Sequence, residues 1–277
     1  MPLALCAGDL TLAGSDLLRP ALEPVLAAGT GSAGRPLRLR LEGSRPGLQD
    51  LRSGKADLAV LTFAPNEPLP DTEFSLVPLA YQVVVVAVTA SNPIRQLSYG
   101  QLAGLFGEKE QGNHRLWGDL GATGVWKEKS VTLNTVDSPG TLALDFFRFT
   151  VLRVPQLKPT MVVHRSLDEL SSRVRGDDTC IGLFPSLPSD TSGMHVLLVS
   201  RDEKDVAFGP TPENIQSGDY PLRLPFYIVF KPERAAQLSS AVAELLGDTV
   251  AAELTKQGYV AVSANARSEA LRGLGAK

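Results

Sequence analysis

The sequence predicts an open α/β fold, and three observations carry that prediction. The first is a repeated unit of apolar strand, glycine- or serine-rich turn and helix, seen around Ser15, around Ser44 and at residues 137–141. The second is the run at residues 83–88, Val-Val-Val-Val-Ala-Val, all β-formers that have to be buried on both faces. The third is composition. At 277 residues, 43% hydrophobic and 21% charged, the chain can bury a sizeable core, and wholesale disorder is excluded. The length suits about two domains.

The elements follow in order. Residues 10–13 form a short apolar strand, and Gly14-Ser15-Asp16 supplies a turn and a helix cap. A helix over 17–28 has Leu18, Leu22, Val25 and Leu26 at helical spacing. Pro20 is tolerated early in it, whereas Pro24 is placed to bend or shorten it. Residues 37–41 alternate Leu with Arg, the pattern of a half-buried strand. A second turn at 43–47 leads into a short helix over 48–52 that Gly54 stops. Residues 57–62 read as a strand inside a parallel sheet. A Pro-rich surface loop at 64–71 precedes two long strand-like runs over 73–90, which Asn92-Pro93 ends. A helix is expected over 97–106, a strand over 131–136 and a helix over 142–152. Further strands are expected at 160–163, 180–184, 194–199 and 222–230, with a helix at 167–174. Helices over 235–246 and 249–257 close the fold, and 263–277 reads as a polar tail that forms a frayed helix. There is no internal repeat.

Several classes are excluded or disfavoured. A net charge of −3, from 27 Lys plus Arg against 30 Asp plus Glu, gives no support for a nucleic-acid binder. Cys6 and Cys180 cannot form a disulfide framework, and their spacing is not that of a zinc site. His114, His164 and His195 lie far apart and have no recognisable catalytic context. No Gly-x-Ser-x-Gly elbow occurs. No cofactor, metal or catalytic residue is assigned. The longest apolar run, 79–90, is too short to cross a bilayer. Residues 1–7 are apolar without a basic start, which fits either the end of a clipped secretion signal or a loosely packed terminus.

In open α/β sheets, ligands sit beyond the carboxyl ends of the strands. The turns at Ser15, Ser44 and Thr62 should therefore share one edge. Helix N-termini there direct N–H groups and partial positive charge outward, which makes an anion site without an excess of Lys or Arg.

Several motifs fall in one order: residues 10–15 (Leu-Thr-Leu-Ala-Gly-Ser), 43–47 (Gly-Ser-Arg-Pro-Gly), 54–59, Asn92-Pro93, 97–102 with 105–107 (Leu-Phe-Gly), and Trp117. They continue with 137–141 (Asp-Ser-Pro-Gly-Thr), Ile181-Gly182, 212–222 (with Ser-Gly-Asp-Tyr-Pro-Leu at its end), 225–229 and 257–260. The ordered set resembles the phosphate-binding proteins of bacterial ABC importers, over about residues 10–262. The resemblance implies a two-lobed, periplasmic-binding-protein-like fold of type II, each lobe an open, mostly parallel sheet flanked by helices. It implies boundaries of 8–83 plus 201–262 for the first lobe and 84–200 for the second, with 263–277 a tail. It further implies a hinge, an oxyanion gripped between the lobes, an extracytoplasmic location with residues 1–7 a signal remnant, ABC transporter membrane subunits as partners, and a monomer. The ligand positions it assigns are Ser15, Asp16, Ser44, Arg45, Thr62, Ser138, Gly140 and Thr141.

The pocket positions depart from the family pattern. Asp16 stands where the family has Ser or Thr, and Arg45 is added to a Gly-Ser turn. Thr62-Phe63 replaces a Ser or Asp followed by Arg; Thr135 replaces an Arg; Ser138-Pro139 replaces Gly-Ser. Thr135 removes a cation able to bond phosphate bidentately, and Pro139 removes a hydroxyl and an N–H. Asp16 adds negative charge unless it is protonated or paired. Arg45 either supplies the missing cation or neutralises Asp16, and both residues are expected to face one interlobe cleft. Taken alone, Asp16 is equally an N-cap and Arg45 a solvated side chain. The leading expectation is a binding protein for phosphate, a related oxyanion or a polar small molecule, with phosphate held weakly. The alternatives are a ligand-poor scaffold that docks to proteins, which Phe63 and Pro139 favour, and a hydrolase on the same fold.

Overall fold

The computed structural model describes residues 9–26, 37–137 and 141–275. Among these, no helix is long and apolar enough to cross a membrane. The chain divides into two compact units. The first comprises the described residues up to Tyr81 and from Pro225 onward; the second is Gln82–Leu224. The chain passes between them twice.

The elements run β1 (Leu10–Gly14), a 3-10 turn (Asp16–Leu18), α1 (Arg19–Leu26), β2 (Leu37–Leu41), α2 (Ser44–Arg52), β3 (Leu58–Thr62) and β4 (Ser75–Val83). Then come β5 (Val85–Thr89), β6 (Gln96–Ser98), α3 (Tyr99–Phe106), β7 (Thr132–Val136), α4 (Ala143–Val151), β8 (Val162–His164), α5 (Leu167–Gly176), β9 (Cys180–Phe184), β10 (Met194–Val196), β11 (Leu198–Ser200) and α6 (Pro212–Ser217). The chain returns through β12 (Arg223–Phe230) to α7 (Ala235–Leu245), α8 (Asp248–Lys256), β13 (Val260–Ala261) and α9 (Ala264–Gly273).

The first unit is built on a sheet of order β13-β4-β12-β3-β1-β2. β1 pairs parallel with β2 and β3, and β12 joins β3 antiparallel. Period-two alternation splits β3 between two cores. Leu58 and Val60 pack with Leu12, Leu22 and Phe226 under α7 and α8, while Ala59 and Leu61 pack with Leu51, Phe74 and Val229. The second unit has the order β10-β5-β9-β7-β8, with β7 parallel to β8 and β9, and with β5 and β10 added antiparallel. Each of these two sheets thus keeps a parallel trio, β2-β1-β3 or β8-β7-β9, and β6 and β11 form a separate parallel pair. The pairs β12–β3, β13–β4, β5–β9 and β10–β5 are antiparallel. Every residue of β5 is buried, as its β-branched run requires.

The second crossing lies at Leu224/Pro225, so residues 201–224 belong with the second unit and not with the first. Their contacts give the reason. The Phe208 N–H donates to the Val199 carbonyl at 3.0 Å, the Tyr99 hydroxyl to the Pro221 carbonyl at 3.0 Å, and the fully buried Tyr220 hydroxyl to the Val84 carbonyl at 2.6 Å. The helix expected after 263 is present as α9, and it is packed rather than frayed over Ala264–Gly273. Ser263 caps α9, and Ala270, Leu271 and Leu274 pack against the first unit's core. The start of the expected 97–106 helix is strand β6, because Ser98 and Gln101 form a reciprocal capping box that begins α3 at Tyr99.

Candidate functional site

Three strand ends meet in the first unit. Because β1, β2 and β3 are parallel, the turns after them share the carboxyl edge of the sheet. The Gly43 N–H donates to the Gly14 carbonyl and the Ser15 N–H to the Val60 carbonyl, both at 2.8 Å. The Thr62 N–H donates to Ser44 Oγ at 3.1 Å. Ser15, Ser44 and Thr62 are therefore brought together. Glycine makes this possible. Gly14 has φ +130° and any Cβ there would strike the Val60 carbonyl, while a Cβ on Gly47 would lie 2.5 Å from Gly14 Cα. α2 thus begins directly against the end of β1.

The donors on this edge are unequal. Thr62 Oγ1 donates to the Pro225 carbonyl at 2.9 Å, so its proton is engaged. Ser44 Oγ accepts from Thr62 and keeps its own proton. Ser15 is 2% exposed and caps no helix with its side chain, and its Oγ has no partner among the described residues. Arg45 is an exposed cation in the first turn of α2. Asp16 opens the 3-10 turn and is also exposed. Asp16 and Arg45 form no ion pair, and neither has an ionic partner among the described residues. Asp16 acts instead on Tyr259: burial first, and then the Asp16 carboxylate, push that phenol up to about 12. The phenol donates to the Leu17 carbonyl at 3.1 Å.

The corresponding turn of the second unit follows β7. Ser138 and Gly140, and with them Pro139, lie outside the described residues. Thr135, 3% exposed, donates its hydroxyl to the Leu183 carbonyl at 3.0 Å. Thr141 Oγ1 accepts from the Ala143 N–H at 3.0 Å, and the Leu142 N–H donates to Gln82 Oε1 at 3.1 Å. The N-cap amide and the first amide of α4 are thus already bonded. A cavity of about 300 Å³ sits here, lined in part by Thr135, Thr141, Asp137 and Asp145. Two carboxylates and no cation line it among the described residues.

Known proteins place the fold. The phosphate-binding protein PstS of Pseudomonas aeruginosa is 24% identical over 212 residues, covering 72% of this chain and 64% of its own length. The chain therefore spans just under two thirds of that relative. A possible phosphate-binding protein from Planctomyces limnophilus matches with a TM-score of 0.72 and 17% identity over 97% of this chain and 98% of its own. PstS from Borrelia burgdorferi matches with a TM-score of 0.73 and 15% identity over 92% and 99%. No protein-family model matches the chain. The chain resembles the phosphate-binding proteins of ABC importers and shares their fold.

The PstS-like scaffold accounts for several of the motifs by structure alone. Asn92 is buried and its Oδ1 accepts from the Ile94 N–H at 2.9 Å, closing the turn after β5. Tyr220 of the Ser-Gly-Asp-Tyr-Pro-Leu stretch anchors the return of the chain at Val84. Phe63 is a core residue with its ring 6.3 Å from Tyr227, so it offers no surface for protein docking. The strand-turn-helix pattern does not single out Gln82, Asp137 or Asp145. Asp137 was visible as the first residue after the strand, and Asp145 as one helical turn beyond Thr141.

Proposed function

We propose that this chain is a non-enzymatic, extracytoplasmic solute-binding protein that serves ABC importer membrane subunits. Its ligand is a small polar molecule or a singly charged oxyanion, and inorganic phosphate binds weakly. The observation that carries this reading is the carboxyl edge of the first unit, where Ser15 and Ser44 keep hydroxyl protons beside Arg45 at the start of α2. The phosphate-binding PstS relatives support the substrate class. The turn after β7 is by itself a poor anion site. Thr135 has no charge and its hydroxyl is engaged, and Asp137 and Asp145 would repel a dianion in a partly desolvated cavity. A hydrolase gains no support, since no histidine bonds a serine among the described hydrogen bonds; His164 meets Asn134 and His195 meets the Ile94 carbonyl.

Calorimetric titration with inorganic phosphate tests the reading, alongside a thermal-shift panel of small anions and zwitterions. Phosphate should bind near the millimolar level, about −4 kcal/mol, and Arg45→Ala should weaken it further. Tight, salt-insensitive phosphate binding would contradict the weakened grip. A panel in which no small polar solute raises the melting temperature would remove the solute-binding reading.

A further inference from the structure

We propose a second small-anion site in the second unit, independent of the proposed ligand edge, that takes a phosphoryl group. A cavity of about 500 Å³ is lined by Asn113, His114, Arg115, Ser130, Lys158 and Thr160, with Glu108 at its margin. It lies at the other end of β7 from the first cavity. Val131 and Leu133 line this one at the amino end, whereas Thr135 and Val136 line the other at the carboxyl end.

Lys158 is held as a fixed cation. Its Nζ donates to the Gly104 carbonyl at 2.8 Å and to the His114 carbonyl at 3.2 Å, which leaves one N–H. Neither Lys158 nor Arg115 has an ionic partner among the described residues. Burial, and after it the Arg115 guanidinium, hold the Lys158 ammonium below its usual range. Two cations that disfavour each other in one cavity are relieved by an anion bonded to both.

The opposing charges do not cancel them. Asp119 is tied to the backbone, its Oδ2 accepting from the Arg115 and Leu116 N–H groups at 2.8 and 2.9 Å. Glu108, exposed like Arg115, is one carboxylate against two cations. Asn113, Ser130 and Thr160 add neutral donors whose side chains have no partner among the described residues. The volume exceeds what a bare ion fills, so a small phosphomonoester fits it better than inorganic phosphate does.

The test is an NMR titration of amide shifts with glycerol phosphate and with inorganic phosphate, at ionic strength held constant with sodium chloride. Saturable shifts are expected at Arg115, Ser130, Val131 and Thr160, with glycerol phosphate binding the tighter. Arg115→Ala should weaken the apparent affinity roughly tenfold. Lys158→Gln, which keeps donors for the two carbonyls, should weaken it as well. Arg45→Ala should leave these shifts in place, so failure here and failure of the proposed ligand edge are read separately. Shifts that do not saturate, or that survive Arg115→Ala unchanged, would overturn the site.

Discussion

Gly47→Ala probes the contact on which the proposed ligand edge depends. Gly47 is buried in the first turn of α2. A Cβ there would sit 2.5 Å from Gly14 Cα, 2.7 Å from Gly14 N and 3.1 Å from Leu61 Cδ2. Carbon atoms at ease lie about 3.5–4.0 Å apart, so helix and strand would have to separate by about 1 Å. Overpacking costs about 1–3 kcal/mol, and two backbones leave little room to yield, which places this case at the upper end. Alanine returns about 1 kcal/mol of helix propensity. The net expectation is a loss of about 2 kcal/mol. Gly176→Ala makes the same chemical change at the end of α5 with nothing within 4 Å, and it should be neutral or stabilising by up to about 1 kcal/mol. Urea unfolding followed by far-ultraviolet circular dichroism compares the two. If Gly47→Ala matches Gly176→Ala in stability, the close approach of α2 to β1 is refuted. The same substitution displaces Ser44 and Arg45, so ligand affinity should fall with it.

Two further outcomes follow from hydrogen bonds to carboxylates. Asp57 accepts from the Thr11 N–H and pairs with Arg234, both at 2.7 Å. Asp57→Ala should therefore cost about 2 kcal/mol in urea unfolding, and a loss under about 0.5 kcal/mol would mean that water replaces the carboxylate. The N–H groups of Arg115 and Leu116 hold the Asp119 carboxyl below its usual value. The stability it gives is present above its unfolded value near pH 4 and is lost as pH falls through the lower folded value. Asp119→Asn should thus lower the urea midpoint at neutral pH by a margin that shrinks as the medium is acidified below about pH 4; a margin constant down to about pH 2 would contradict it.

The scaffold was legible where sequence pattern and packing obey the same period. The β-branched run at β5 had to be buried on both faces, and the alternation in β2 set its half-exposed register. What was not legible depended on contacts distant in sequence. Residues 201–224 join the second unit because Tyr220 reaches Val84 and Tyr99 reaches Pro221, and no local pattern encodes those bonds. At the candidate site, Ser15, Ser44 and Thr62 could be placed on one edge from strand order alone. Which of their protons remain free could not, because the Thr62 hydroxyl is taken by the Pro225 carbonyl, 163 residues away. Asp16 was readable as a helix-start acid, but its neighbour Tyr259 comes from the far end of the chain.

The motifs that carry the resemblance and the groups that would choose a ligand are largely different residues. Asn92, Ser98 and Tyr220 close a turn, cap a helix and anchor the return of the chain. These roles are indifferent to what is bound, so the fold can persist while the ligand changes. The second unit has an uncharged Thr135 and lines the adjoining cavity with Asp137 and Asp145, while the first unit carries Arg45 at the start of α2. A doubly charged anion needs several donors that are not already bonded. The Thr135 hydroxyl and the Leu142 and Ala143 amides have each been given an internal acceptor. Each of these three donors must break its bond to serve a ligand, and each broken bond subtracts about 1 kcal/mol from affinity. Two or three such bonds are worth about a hundredfold in the binding constant. A ligand that presents a positive or neutral face to this turn avoids that cost.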